Sequence, residues 1–143
     1  MIAEPQYQAN STAPVEVIEV PTDKFQLEWA LRCGSKNLIM WVTDYGNGFT
    51  AKTHISTNTT RRIQDETTSI YAAARDLLQQ LADRTQVVVK YEFQTINSKM
   101  QRWAQGKGRD IFQWNSVKSN EFGLLVSEAD FSPRTLSNDQ QAA

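Results

Sequence analysis

The spacing of apolar residues changes period along this chain, and each change marks a different element. After Asp65 and Glu66, the residues Ile70, Ala74, Leu77, Leu78 and Leu81 recur at helical spacing, while Arg75, Asp76, Gln79, Gln80 and Asp83 hold the other side. This one-sided stripe predicts a helix ending near Arg84 that lies on a sheet, with Asp65 or a nearby Thr as its cap. The run Gln86-Val87-Val88-Val89-Lys90-Tyr91-Glu92-Phe93 follows, β-branched and aromatic and of strand length.

Upstream the period is two. Phe25, Leu27, Trp29, Leu31 and Cys33 alternate with Gln26, Glu28, Ala30 and Arg32, so one face of this strand is buried. After the turn Gly34-Ser35-Lys36-Asn37, residues 38–45 are apolar on both faces as far as Val42, the pattern of a central strand. Gly46-Asn47-Gly48 tolerates the positive φ of a tight hairpin and predicts a third strand over 49–56. Ile96, Met100 and Trp103 fall at i, i+4 and i+7, a second helix capped by Thr95 and ended by Gly106-Lys107-Gly108. Residues 110–114 are short and aromatic, 117–121 read as a turn, and 122–127 as a fifth strand or one helical turn.

The order β-β-β-α-β-α implies an α+β fold. A right-handed crossover would return the fourth strand parallel to the first, giving a mixed sheet with both helices on one face. Residues 1–23, broken by Pro5, Pro14 and Pro21, read as a flexible arm in which 15–20 has the alternation of a short edge strand. Residues 24–130 form a single domain and 131–143 a disordered tail.

Composition narrows the class. A chain of 143 residues with 40% hydrophobic content suits one domain with a core that needs no metal or disulfide staple. The mean hydropathy of −0.52 keeps much of it wet. No apolar run approaches the roughly 18 residues of a membrane span, and residues 1–11 have neither the basic start nor the apolar middle of a secretion signal. A lone cysteine, Cys33, fits a reducing compartment, so a cytoplasmic location is expected. One cysteine and one histidine, His54, exclude a His/Cys zinc cluster.

Charge changes the picture more. The chain carries a net −1, yet between positions 95 and 118 Lys99, Arg102, Lys107, Arg109 and Lys118 face only Asp110, a local +4 on an acidic body. DNA or RNA is the partner this segment suggests, with Lys99, Arg102, Lys107 and Arg109 on phosphates and Phe112 or Trp114 stacking on bases.

Several stretches resemble the ribonuclease H family. The strand ending Arg32-Cys33-Gly34-Ser35 is similar to the family's first strand, which ends in Asp-Gly-Ser. Residues 59–66, Thr-Thr-Arg-Arg-Ile-Gln-Asp-Glu, are similar to the lead-in to its helical glutamate. Residues 85–106, with Glu92-Phe93, Ile96 and Trp103, resemble its fourth strand and following helix, and 106–114 sits where many members carry a basic protrusion. The likeness covers roughly 25–126 and implies a ribonuclease-H-like sheet.

Family chemistry resembles two-metal catalysis, in which clustered carboxylates hold two Mg²⁺. Carried over, the helical ligand is Glu66 and the strand ligand Glu92. The first-strand aspartate becomes Cys33, a soft thiol and a poor ligand for Mg²⁺, and the family's last acidic residue has no counterpart unless Asp130 swings in. A nucleic-acid-binding domain without nuclease activity is therefore the first expectation, with no cofactor. The first alternative is a nuclease with Asp44, Glu66 and Glu92 as catalytic carboxylates, which alone would require Mg²⁺ or Mn²⁺; the second is a small adaptor or inhibitor that binds another protein. Plainer roles exist for most of these residues: Glu66 at a helix dipole, Glu92 on a solvated strand face, Cys33 in the core, His54 on the surface, and the basic run as a wet helix face.

Overall fold

The structure, a computed structural model, describes residues 14–23, 26–57 and 64–134. Its elements run β1 (Glu16–Glu19), β2 (Leu27–Cys33), β3 (Lys36–Asp44), β4 (Phe49–Thr57), α1 (Gln64–Thr85), β5 (Val89–Thr95), α2 (Ser98–Gln105), α3 (Lys107–Phe112), β6 (Ser116–Ser119) and β7 (Leu125–Phe131). The strands form one mixed sheet in the order β1-β2-β3-β4-β5-β7-β6, antiparallel except between β4 and β5. No helix among the described residues is long and apolar enough to cross a membrane.

The hairpins follow their turn residues. Gly34 at φ +57° and Ser35 alone connect β2 to β3, with Cys33 opposite Lys36, so Lys36 and Asn37 already belong to the strand. Between β3 and β4 the Asp44 carboxylate accepts the Gly46 N–H at 2.7 Å, and Asp44 pairs with Phe49. An Asx turn of this kind holds a loop without a core.

The expected stripe on α1 is buried in Ile70, Ala74, Leu78 and Leu81, and the contact is wider than the stripe, because Tyr71, Ala72, Ala73 and Ala82 are buried too. Alanines let the helix sit close to the sheet. It packs on β2 and β3 on one side and on β5 and β7 on the other. Alternate strand residues, among them Leu31, Met40, Ala51, Tyr91 and Ala129, meet it in one core. The second helical segment packs on the same face through Ala104, Trp103 and Phe112, so the helices lie on one side, as expected, and the other face carries none among the described residues.

The strand order corrects the expected one. β5 does not dock beside residues 27–33; it runs parallel to β4, with Phe49 opposite Val89 and Lys52 opposite Glu92. The edge it was expected to use is occupied by β1, where Val17 pairs with Leu31. The end of the arm is thus part of the sheet, with Val15 and Val17 buried, and the open edge left for the crossover is that of β4.

The far side holds further corrections. Residues 116–119 are a strand rather than a turn, and β7 runs from Leu125 to Phe131. The tail is anchored as far as Arg134: Phe131 is buried opposite Val89, Gln79 donates to the Ser132 carbonyl at 2.9 Å, and Arg134 grips Asp83 through its backbone N–H and Nε, each at 2.9 Å. The guanidinium holds the Asp83 carboxyl at about 2. Residues 1–13 and 135–143, the outer parts of the expected arm and tail, lie outside the described residues. So do the side chains around the start of α1 on which its cap was placed.

Candidate nucleic-acid interface

The basic segment folds as two short helices meeting at a break. Asn97, not Thr95, caps α2: its Oδ1 accepts the N–H groups of Lys99 and Met100, while the Thr95 hydroxyl accepts the N–H of Asn97. Gly106 (φ −104°, ψ −98°) turns the chain, and instead of ending there it starts α3. The second turn re-aims Ile111 and Phe112 into the core. Gln113 then adopts a left-handed conformation at φ +52° and donates its N–H to the Arg109 carbonyl at 2.8 Å, which swings Trp114 back beneath α2.

This path decides which aromatics are available. Phe112 is 6% exposed and packed against Tyr91 at 4.9 Å, Tyr71 at 6.2 Å and Phe131 at 6.4 Å, so it is a core residue and no stacking platform. That corrects the expectation that Phe112 could stack on bases; α3, which the short aromatic run did not reveal, buries it. Trp114 is half-buried. One side stacks on Phe112 at 4.8 Å and 21°, and its Nε1–H donates to the Ala104 carbonyl at 2.9 Å.

The cations are placed differently. Lys99, Arg102, Lys107 and Arg109 are all exposed. Arg109, Asp110 and Trp114 line a groove of about 570 Å³ with Gln105, Gln113 and Val117, so one carboxylate faces it beside the one cation. Arg102 lines a second, of about 600 Å³, with Ser98, Gln101, Gln105 and Ser119. The two share Gln105, and each is lined both from the α2–α3 segment and from β6, through Val117 in the first and Ser119 in the second. Among the described residues no carboxylate comes within ion-pair distance of Lys99, Arg102, Arg109 or Lys118. Gln105, Gln113 and Ser119 carried no signal in the sequence, because only the fold brings β6 alongside the helices.

The candidate carboxylates do not come together. Glu66 lies at the Ser35 end of β3 and Asp44 at the other end, nine residues along the strand, which at ~3.4 Å per residue is roughly 30 Å. Glu66 is 4% exposed and takes a hydrogen bond from the Ser35 hydroxyl at 2.8 Å and from its backbone N–H at 3.3 Å. Glu92 points to the opposite face of the sheet from Tyr91 and Phe93 and pairs with Lys52 at 3.3 Å. Asp130, on the same uncovered face of β7, accepts from Asn115. No group of three His, Cys, Asp or Glu among the described residues is placed to hold a metal ion, and these residues do not fit a two-Mg²⁺ centre. Cys33 is 3% exposed in the core, and burial, followed by the charge of Glu66, pushes its thiol up. His54 is exposed on β4.

No protein-family model matches the chain, and no curated protein matches it.

Proposed function

We propose that this protein binds single-stranded nucleic acid along the channel between α2–α3 and β6. The observation that carries the reading is the set of exposed cations without internal partners, Lys99, Arg102, Arg109 and Lys118, two of which line adjoining grooves. Lys52, Arg75 and Arg134 pair within the fold with Glu92, Asp76 and Asp83, whereas these four share the α2, α3 and β6 segments and are open to an external anion. Phosphates supply that charge, and the partly open indole of Trp114 supplies a surface for a base. A duplex would use only the first of these, which favours a single strand.

What this reading keeps of the ribonuclease H resemblance is the run β-β-β-α-β-α; it does not depend on where the crossover strand docks. No catalytic step is assigned. The test is binding of a labelled oligonucleotide across a salt series. Arg102→Ala and Arg109→Ala are each expected to weaken binding about three- to ten-fold and to lower the slope of log K against log salt by about 0.7. Absence of binding to single strand, duplex or hybrid at low salt overturns the reading. A protein partner that instead covers the uncovered sheet face, where Ile18, Ile39 and Trp41 lie half-buried, would replace it.

A further inference from the structure

The parallel ladder between β4 and β5 stops at Lys52–Glu92, yet β4 continues to Thr57 and β5 to Thr95. Two strands in the middle of the sheet therefore diverge toward their carboxyl ends, and a cleft of about 400 Å³ opens between them. At its apex the Thr53 hydroxyl and the Tyr91 hydroxyl share a 2.6 Å hydrogen bond. Tyr71, Phe93 and Met100 line it with apolar surface, and His54, Ile96 and Asn97 line it nearer the solvent, Ile96 being 75% exposed.

The backbone adds a second kind of recognition. Phe49 donates its N–H to Val88 across the seam, and because strand residues alternate sides, the N–H and C=O of Ile55 also face β5 rather than β3. Beyond the end of the ladder, that donor and acceptor look into the cleft. Apolar walls flanking a donor–acceptor edge suit a flat heteroaromatic ring, with its faces held by side chains and its rim read by hydrogen bonds. The volume lies within the ~300–1,000 Å³ of ligand pockets.

The cleft also adjoins the basic channel. Asn97 and Met100 line it at the start of α2; Lys99 sits between them in sequence, and Arg102 is one helical step beyond Lys99. We propose that the β4–β5 cleft takes one unstacked base of a single strand whose phosphates run over Lys99 and Arg102. This rests on the nucleic-acid reading and adds to it a base site remote from Trp114.

Nucleoside monophosphates test the cleft, and oligonucleotides test the channel. Titration of adenosine or uridine monophosphate into the protein should shift the Met100 methyl and His54 ring signals in NMR spectra saturably, in the millimolar range. Ile96→Ala and His54→Ala, at exposed positions, should each weaken oligonucleotide binding about three- to ten-fold and leave the salt slope unchanged. Removing the bases with abasic sites should erase the difference between these variants and the parent. If monophosphates leave both signals unmoved, or the variants bind as the parent does while Arg102→Ala still lowers the salt slope, the cleft proposal falls and the channel stands. If monophosphates shift the signals but no oligonucleotide binds, the channel falls and the base site stands. Signals moved by an extended apolar peptide and not by monophosphates overturn the base site in favour of a peptide.

Discussion

Glu66 shows how one side chain can look like chemistry and act as architecture. It is an acidic residue, almost fully buried, at the start of a long helix. Its carboxylate is spent on Ser35, however, and it sits where a Cβ on Gly34 would come within 1.7 Å of its Oε2. The turn can approach the helix only because residue 34 has no side chain and accepts φ +57°. Glu66 is thus a peg that fastens the β2–β3 hairpin to α1. A buried hydrogen bond to a charged group contributes about 1.5–3 kcal/mol, so Glu66→Ala should destabilise the fold by about 2–3 kcal/mol in urea denaturation and Glu66→Gln, which keeps one acceptor oxygen, by about 1 kcal/mol. A ligand of a catalytic metal would behave otherwise, with Glu66→Gln leaving stability unchanged. The helix dipole was a sufficient sequence-level reason for this glutamate, but Ser35, 31 residues away, leaves no trace in a local pattern.

At the scale of elements, what could be read depended on whether a segment's neighbours in space were also its neighbours in sequence. The stripe of α1 and the glycines of the two hairpins are local features, and the structure keeps them. Thr95 has a capping side chain, but β5 runs through Thr95, so α2 starts later and Asn97 caps it. Gly106-Lys107-Gly108 has the composition of a helix stop. Gly108 instead lies in α3, beneath Trp103, and a Cβ there would sit 2.8 Å from the indole. Two effects oppose each other in Gly108→Ala: a helix interior gains about 1 kcal/mol from the change, whereas forcing a well-packed ring aside costs about 1–3 kcal/mol. Trp103 has little freedom to move, packed against Tyr71 at 4.7 Å with the rings tilted by 38° and donating to the Thr68 hydroxyl at 3.2 Å. The clash should win, by up to about 2 kcal/mol. In a Trp103→Leu background the same substitution should cost less or stabilise, and a double-mutant cycle by chemical denaturation measures that coupling.

Across the whole molecule, the feature least legible in the sequence is also the one that sets its mechanics. The position of β5 depends on which edge is free, and that in turn depends on Val15 and Val17, two residues in a proline-punctuated stretch whose alternation suits an edge strand but is too short to say which strand it covers. Once β1 covers β2, the sheet divides into an antiparallel half, β1 to β4, and a second half, β5 to β7, joined by a parallel ladder of four residue pairs. So short a seam would let the halves come apart if it were their only link. α1 spans it, resting on β2 and β3 to one side and on β5 and β7 to the other, with Leu78 fully buried in the shared core. The halves should therefore unfold together. Tryptophans report on each: Trp29 in the first half and Trp114 in the second. In variants keeping only one tryptophan, the fluorescence midpoint in urea should coincide with that of the far-UV circular dichroism of the same variant, and Leu78→Ala, expected to cost about 2–5 kcal/mol, should lower the stability of both variants equally. Two separated midpoints, or a Leu78→Ala effect confined to one reporter, would mean that the seam and not the helix governs cohesion, and that the cleft at its end opens with it.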